Sequence, residues 1–171
     1  MKFLKLRLLL IAAVGFAFSG TANAQNTQNI AVTATVPTVC IVDTGTTETA
    51  MGFDLSGLAL ATLPFTATTT LRWRCNFGSA PVISIGPGIS GNQEFREMRF
   101  GLIPLAYNLY IDGAFSQIWG DGGGSTATVA IIPLGMGTAG NTVVNGQVLL
   151  ADALAAPVGT YTDNVLVTII P

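Results

Sequence analysis

The chain has 171 residues, of which half are apolar, seven are basic, nine are acidic and none is histidine. Without histidine there is no Ser-His-Asp relay and no imidazole metal ligand, and two cysteines are too few for a Cys₄ zinc site. A net charge of −2 gives no basic surface for nucleic acid. We therefore expect no enzymatic activity, cofactor, metal site or nucleic-acid partner, in a chain whose length suits one domain.

The N-terminus has the pattern of a secretory signal peptide. Three basic residues precede an apolar run over 8–18, and Ala22-Asn23-Ala24 places small residues at positions −3 and −1 of a cleavage site. The apolar run is shorter than the ~20 residues that a membrane-spanning helix needs. Residues 1–24 are therefore predicted to be a signal peptide that directs export, with no stable membrane insertion after its removal.

The remaining sequence is unusually poor in charge. Residues 25–171 contain four arginines, nine acidic residues and no lysine, whereas about a quarter of the residues of a soluble protein are charged. A surface with so little charge is typical of one that contacts another protein.

The first segment after the predicted cleavage site alternates between apolar and small polar residues. The apolar positions are Ile30, Val32, Ala34 and Val36. This pattern predicts a strand over 28–36, about 30 Å long, which Pro37 then interrupts. Two interpretations remain open at this point: a first strand of the domain's own sheet, or a strand supplied to a neighbouring molecule by strand addition.

The two cysteines, Cys40 and Cys75, are predicted to form one disulfide, because the protein is expected to be exported. In the chain-entropy model, a bond closing a loop of this length stabilises the fold by ~4 kcal/mol. Two free thiols are the alternative.

Period-two alternation predicts several further short strands, separated by turns rich in glycine and proline. The predicted strands cover residues 66–77, 81–85, 105–111, 126–133, 147–150 and 165–170, with turn signals at 86–88, 90–92, 120–124 and 135–141. Only Gln93–Arg99 has weak helical character. Short strands at this spacing predict an all-β antiparallel sandwich.

For three aromatic residues we considered a structural role and a ligand-binding role. Trp73 follows the inward parity of its strand and is predicted to lie in the core. Trp119 lies beside the glycine-rich loop Gly120–Gly124, and both core packing and contact with a carbohydrate ligand remain open for it. The loop lacks the lysine of a P-loop and the acidic spacing of an EF-hand. The hydroxyl of Tyr161 is predicted to hold a corner before the last strand.

Three blocks of sequence resemble the spore coat protein U-type domain, the pilin domain of archaic chaperone–usher pili. They are Tyr107-Asn108-Leu109-Tyr110-Ile111-Asp112-Gly113, Ile118-Trp119-Gly120-Asp121-Gly122, and Gly159-Thr160-Tyr161-Thr162-Asp163 followed by Val165-Leu166-Val167-Thr168. Met98, Cys40 and Cys75 fit the same layout, so the resemblance covers nearly all of the sequence after the leader. It implies an immunoglobulin-like antiparallel sandwich that lacks its last strand, with an N-terminal donor-strand extension at 25–37 and the pilin domain at 38–171.

The resemblance also implies a function and a set of partners. Carried over by position, Ile30, Val32, Ala34 and Val36 are the donor side chains, and Val165, Val167 and Ile169 form the strand that borders the acceptor groove. The implied partners are neighbouring pilin subunits, a periplasmic chaperone and an outer-membrane usher, and the implied location is the periplasm in transit and then a cell-surface pilus that supports adhesion or biofilm. A carbohydrate-binding or adhesive surface module, or a spore-coat-like structural protein, is the alternative. Pro171 departs from the expected pattern, because it has no N–H for a chaperone to bind.

Overall fold

The structure is a computed structural model that describes residues 28–43 and 50–171. The predicted signal peptide, residues 1–24, lies outside the described residues, as do positions 25–27. The chain divides into two units, Met1–Thr35 and Val36–Pro171, which are treated separately. In the first unit, residues 28–35 are exposed and belong to no helix or strand.

The second unit consists mainly of strands. In the described part of the chain these are β1 (Cys40–Val42), β2 (Phe65–Cys75), β3 (Val82–Ile85), β4 (Arg96–Phe100), β5 (Ile103–Tyr110), β6 (Ile118–Trp119), β7 (Thr126–Ala127), β8 (Val129–Ala130), β9 (Gly140–Val148) and β10 (Val167–Ile170). One short α-helix, α1 (Leu150–Ala155), and two 3₁₀ turns, Leu58–Leu60 and Gly88–Ser90, complete the described elements.

The strands form two sheets that pack face to face. Sheet 1 has the order β1-β2-β9-β5-β6-β7, with β4 paired to β5 beside this path, and sheet 2 has the order β10-β3-β8. Every strand pair is antiparallel except β6 and β7, which are parallel. Both sheets contribute buried side chains to one core, so the expected all-β, immunoglobulin-like sandwich is confirmed.

In β2 the residues alternate between the face that is buried and the face that is exposed. Leu71, Trp73 and Cys75 are buried, as their parity predicted, while Arg72 between them is exposed. The ring of Trp73 occupies the space that a Cβ atom would need at Gly140 of β9. A glycine is therefore required opposite this tryptophan, and it lets β9 lie close to β2 along nine paired residues.

Two segments differ from the sequence-based prediction. Gln93–Arg99, which looked weakly helical, contains the start of β4, because Arg96–Phe100 pairs along its whole length with β5. The turn predicted over 135–141 ends earlier than expected, and β9 begins at Gly140 instead of near 147. In both places the pairing with a neighbouring strand outweighs local sequence preference.

Cys40 and Cys75 form a disulfide between β1 and β2, with Cα atoms 4.2 Å apart. The two residues are directly opposite each other in the β1–β2 register. The bond therefore fixes β1 to the edge of sheet 1. No helix in the described residues is long and apolar enough to cross a bilayer.

Candidate functional site

A groove of about 630 Å³ opens into the sandwich beside β1 and β10. Its walls come from the core-facing residues of sheet 1, from the extended segment 50–53 and from the chain leading into β10. The lining residues are Val42, Ala50, Met51, Phe53, Thr69, Leu71, Ile85, Met98, Tyr107, Leu109, Val144, Tyr161, Thr162, Asp163, Asn164, Val165 and Val167. The groove is thus mostly apolar, and a short polar stretch borders it at 161–164.

The β10 border of the groove presents backbone groups to the open side. The amide of Gly86, the residue after β3, donates to the Leu166 carbonyl at 2.8 Å. In an antiparallel pair the backbone groups of successive residues point alternately toward and away from the partner strand. Leu166 bonds toward sheet 2, so the backbone groups of Val165, Val167 and Ile169 point away from it. Among the described residues, β10 pairs with β3 alone.

These three residues also have half-buried side chains that pack against the main core. Val165 and Val167 line the groove directly, whereas Ile169 contacts the same core without lining it. The structure therefore places Val165 and Val167, two of the three residues predicted to border an acceptor groove, on the groove wall.

The β1 border also presents backbone groups to the open side of the groove. The amide of Asp43 donates to the Arg72 carbonyl at 2.7 Å, and the amide of Asn76 donates to the Val39 carbonyl at 3.1 Å. Odd-numbered residues of this segment therefore bond to β2, and the backbone groups of Cys40 and Val42 point the other way. Within the described ranges, β2 is the only strand paired with β1. Val42 and Val167 line the same space, so each border of the groove has one strand edge that is unpaired among the described residues.

The end of β1 is held by a charged cluster as well as by the disulfide. Asp43 accepts from the guanidinium groups of Arg74 at 2.7 Å and Arg72 at 3.0 Å. The hydrogen bond from Arg74 is the main cause that keeps the pKa of Asp43 below its ordinary value. The cluster and the disulfide together keep β1 in position as a border strand.

The predicted donor residues lie outside the domain's regular structure. Residues 28–39 contain no strand, and Ile30, Val32 and Val36 are 80–87% exposed, with Ala34 also exposed. The expected strand over 28–36 is therefore not formed in this single chain. The four apolar side chains of this alternating segment are therefore exposed to solvent.

One polar pair at the groove was not assigned a role from the sequence. The Tyr107 hydroxyl donates to Asp163 Oδ2 at 2.6 Å, and Asp163 Oδ1 accepts from the amides of Ile89 at 2.8 Å and Asn164 at 2.7 Å. Burial raises the pKa of Tyr107, and the hydrogen bond to Asp163 raises it further. Both residues line the groove, so Asp163 fixes the chain just before β10 to β5 and to the 3₁₀ turn at Gly88–Ser90.

The Spore Coat Protein U domain model matches residues 26–168. The chain belongs to this family. No curated protein matches the sequence. Among the solved structures, a chain in the crystal structure of the CsuC–CsuE chaperone–tip adhesion subunit pre-assembly complex, from archaic chaperone-usher Csu pili of Acinetobacter baumannii, is similar with a TM-score of 0.51 and 21% identity. The match covers 79% of this chain and 40% of that one, and the likeness is one of fold.

Two of the three blocks of this Spore Coat Protein U domain bond to a buried arginine. Arg96 is fully buried and donates to Asn108 Oδ1 at 2.6 Å and to the Trp119 carbonyl at 2.7 Å. Its other bonds go to the carbonyls of Ile85, Gly86 and Gln93. Desolvation lowers the pKa of Arg96, while Tyr107 and Asp163 act in the opposite direction. The sequence showed the three blocks, but nothing in it linked them to Arg96.

The aromatic residues of the domain have structural contacts. Trp119 is fully buried, and its indole Nε1 donates to the Ile83 carbonyl at 3.0 Å, so its ring offers no face to a carbohydrate ligand. The Tyr161 hydroxyl donates to the Pro157 carbonyl at 2.8 Å, which is the predicted corner contact.

The glycine-rich loop is tied to the segment before β4. Glu94 accepts from the amide of Ser125 at 2.6 Å and from its hydroxyl at 2.5 Å, and these bonds lower the pKa of Glu94. Gln93 accepts from the amide of Asp121 at 2.8 Å. In the described part of the chain no group of three or more His, Cys, Asp or Glu side chains is placed to hold a metal ion.

Proposed function

We propose that this protein is a structural subunit of a secreted surface fibre, an archaic chaperone–usher pilus, in which subunits are joined by donor-strand exchange. The observation that carries the proposal is the groove whose two borders, β1 and β10, each have one strand edge that is unpaired among the described residues. A strand that enters the groove can bond to such an edge along its backbone, which a small-molecule ligand cannot do.

The extension supplies a strand of the required kind. Alternate residues of 30–36 are apolar and exposed, and burial of a large apolar side chain stabilises a complex by about 1.5–3 kcal/mol. Ile30, Val32 and Val36 would then fill the groove while the backbone bonds to an open edge of its border. Because the same molecule carries a groove and a donor segment at different places, the contact is head-to-tail and produces a filament.

Family membership and the fold of the Csu complex support the same partners. We propose that a periplasmic chaperone occupies the groove before assembly, that an outer-membrane usher catalyses the exchange, and that the neighbouring subunit then takes the site. A groove with open edges is an aggregation hazard until it is filled, which is the physical reason for a chaperone. Assembly takes place after passage through the periplasm, and the finished fibre supports adhesion at the cell surface.

The donor role is tested by adding one charge to either face of the extension. Val32→Asp should abolish fibres, because the carboxylate would have to enter an apolar groove without a partner. Thr33→Asp adds the same charge at the next position, whose side chain points away from the groove, and should assemble normally. The readout is fibre length by electron microscopy together with denaturant-resistant ladders on gels. Normal fibres from Val32→Asp would contradict the proposal.

A further inference from the structure

The point at which the extension joins the domain is fixed by one side chain. Asn76 Nδ2 donates to the Pro37 carbonyl at 2.7 Å, and Asn76 Oδ1 accepts from the amide of Val39 at 2.9 Å. A third bond joins the Asn76 amide to the Val39 carbonyl at 3.1 Å. Residues 37–39 are therefore held against Asn76, directly after β2.

An apolar patch lies next to this point. Phe77 follows Asn76 and is 77% exposed, which is unusual for so large an aromatic residue. Its ring occupies the space that a Cβ atom would need at Gly135, where φ is +83°, and the flanking residues Leu134 and Met136 are 40% and 39% exposed. We name these four residues, Phe77, Leu134, Gly135 and Met136, the Phe77 patch.

We propose that the Phe77 patch is a second contact between subunits, and that it binds the copy of this chain whose groove holds this subunit's extension. The inference rests on the proposed function. If Val36 lies in the neighbour's groove, the next residue, Pro37, is still bonded to Asn76 of its own domain. Consecutive Cα atoms are about 3.8 Å apart, so the end of the neighbour's groove must lie close to Asn76, the residue before Phe77.

The neighbour's surface suits an apolar contact at either end of β10. Leu166, just before the strand, is 73% exposed, and Ile170, its last residue, is 53% exposed. Both have the parity that points away from the core. Each end of the β10 border thus carries one large exposed apolar side chain that the Phe77 patch of the neighbouring copy can contact. A second copy of the chain is therefore the occupant that the geometry favours.

The test places a photo-crosslinking residue at position 77. Phe77→p-benzoylphenylalanine should give covalent links between subunits when assembled fibres are irradiated. Val143→p-benzoylphenylalanine is the matched control, because Val143 is 50% exposed and lies in the middle of the β2–β9 pair in sheet 1, away from both ends of β10. We expect a crosslinked fraction several-fold higher for position 77 than for position 143, and loss of the links when Val32→Asp is added.

The two proposals fail in different ways. Fibres that form normally but crosslink equally at positions 77 and 143, or not at all at 77, would overturn the Phe77 contact alone. An absence of fibres from the wild-type protein, produced with its chaperone and usher, would overturn the proposed function and the Phe77 contact together.

Discussion

Tyr107 and Asp163 show how single side chains define the groove. The hydroxyl of Tyr107 and two backbone amides all donate to the Asp163 carboxylate, so the chain entering β10 is fixed from three directions. Hydrogen bonds to a charged group contribute about 1.5–3 kcal/mol each. The pair therefore holds the groove's polar border in place within the single chain.

The raised pKa of Tyr107 leads to a pH prediction. The folded protein keeps the tyrosine proton to higher pH than the unfolded chain, which releases it near pH 10. The stabilisation is thus complete below about pH 10 and is lost as pH rises beyond it, by at most ~1.4 kcal/mol per pH unit. Urea unfolding at several alkaline pH values should show this fall in the wild-type protein, and a smaller one in Tyr107→Phe. Equal pH dependence in both proteins would contradict this role.

The strands predicted correctly from the sequence are those in which apolar and polar residues alternate with the burial of their side chains. Residues 66–77 were predicted as a strand and β2 covers Phe65–Cys75, because alternate side chains face a core on one side only. β9 was largely missed, since its glycines at 140 and 146 lower local strand preference. Those glycines make room for Trp73 and for Met51 and Phe53, which come from distant parts of the chain.

The local sequence pattern could not predict the open strand edges of β1 and β10. The resemblance implied that a strand was missing and named Val165, Val167 and Ile169 beside it. Which backbone groups point to the groove depends on the pairing of β10 with β3 and of β1 with β2, and register of this kind follows from packing between separate segments.

At the scale of the element, β1 depends on the disulfide. β1 has three residues and one partner strand among those described, so few hydrogen bonds hold it. Cys75→Ser should lower the free energy of unfolding by about 4 kcal/mol and should weaken binding of a synthetic peptide of residues 28–37. The measurements are urea unfolding and peptide titration.

Cys40→Ser provides the control for this experiment, because it removes the same bond from the other end. The two single variants and the double variant should behave alike if the bond itself is responsible. An unchanged melting temperature in Cys75→Ser would show that the disulfide does not stabilise the fold.

The whole molecule exposes much apolar surface for its size, and little of the charge that normally keeps such surfaces apart. Among the exposed large apolar residues, Ile30 and Val32 lie in the extension, and Leu166 and Ile170 lie on the β10 border of the groove. In a fibre of the kind proposed, these surfaces would come together between copies. The proposed assembly would therefore account for both the low charge and the open groove.

A chain that carries its own donor segment after the last strand tests whether the groove accepts this segment. A copy of residues 26–37 joined after Pro171 by a short flexible linker should enter the groove of its own chain and give a monomer with a raised melting temperature. Light scattering after size-exclusion chromatography measures the mass. As a control, the same fusion carrying Val32→Asp in the added copy should remain aggregation-prone. Aggregation of both fusions would count against a groove that accepts this segment.

The position of the disulfide has a mechanical consequence for a fibre under tension. In a fibre of the kind proposed, a pulling force on one subunit would enter through the extension and reach Cys40, three residues after Pro37. From there it would pass into β2 through the covalent bond to Cys75, so the short strand β1 would stay attached to its sheet. The load would bypass β1, and the joint between subunits would be the place where a stretched fibre yields.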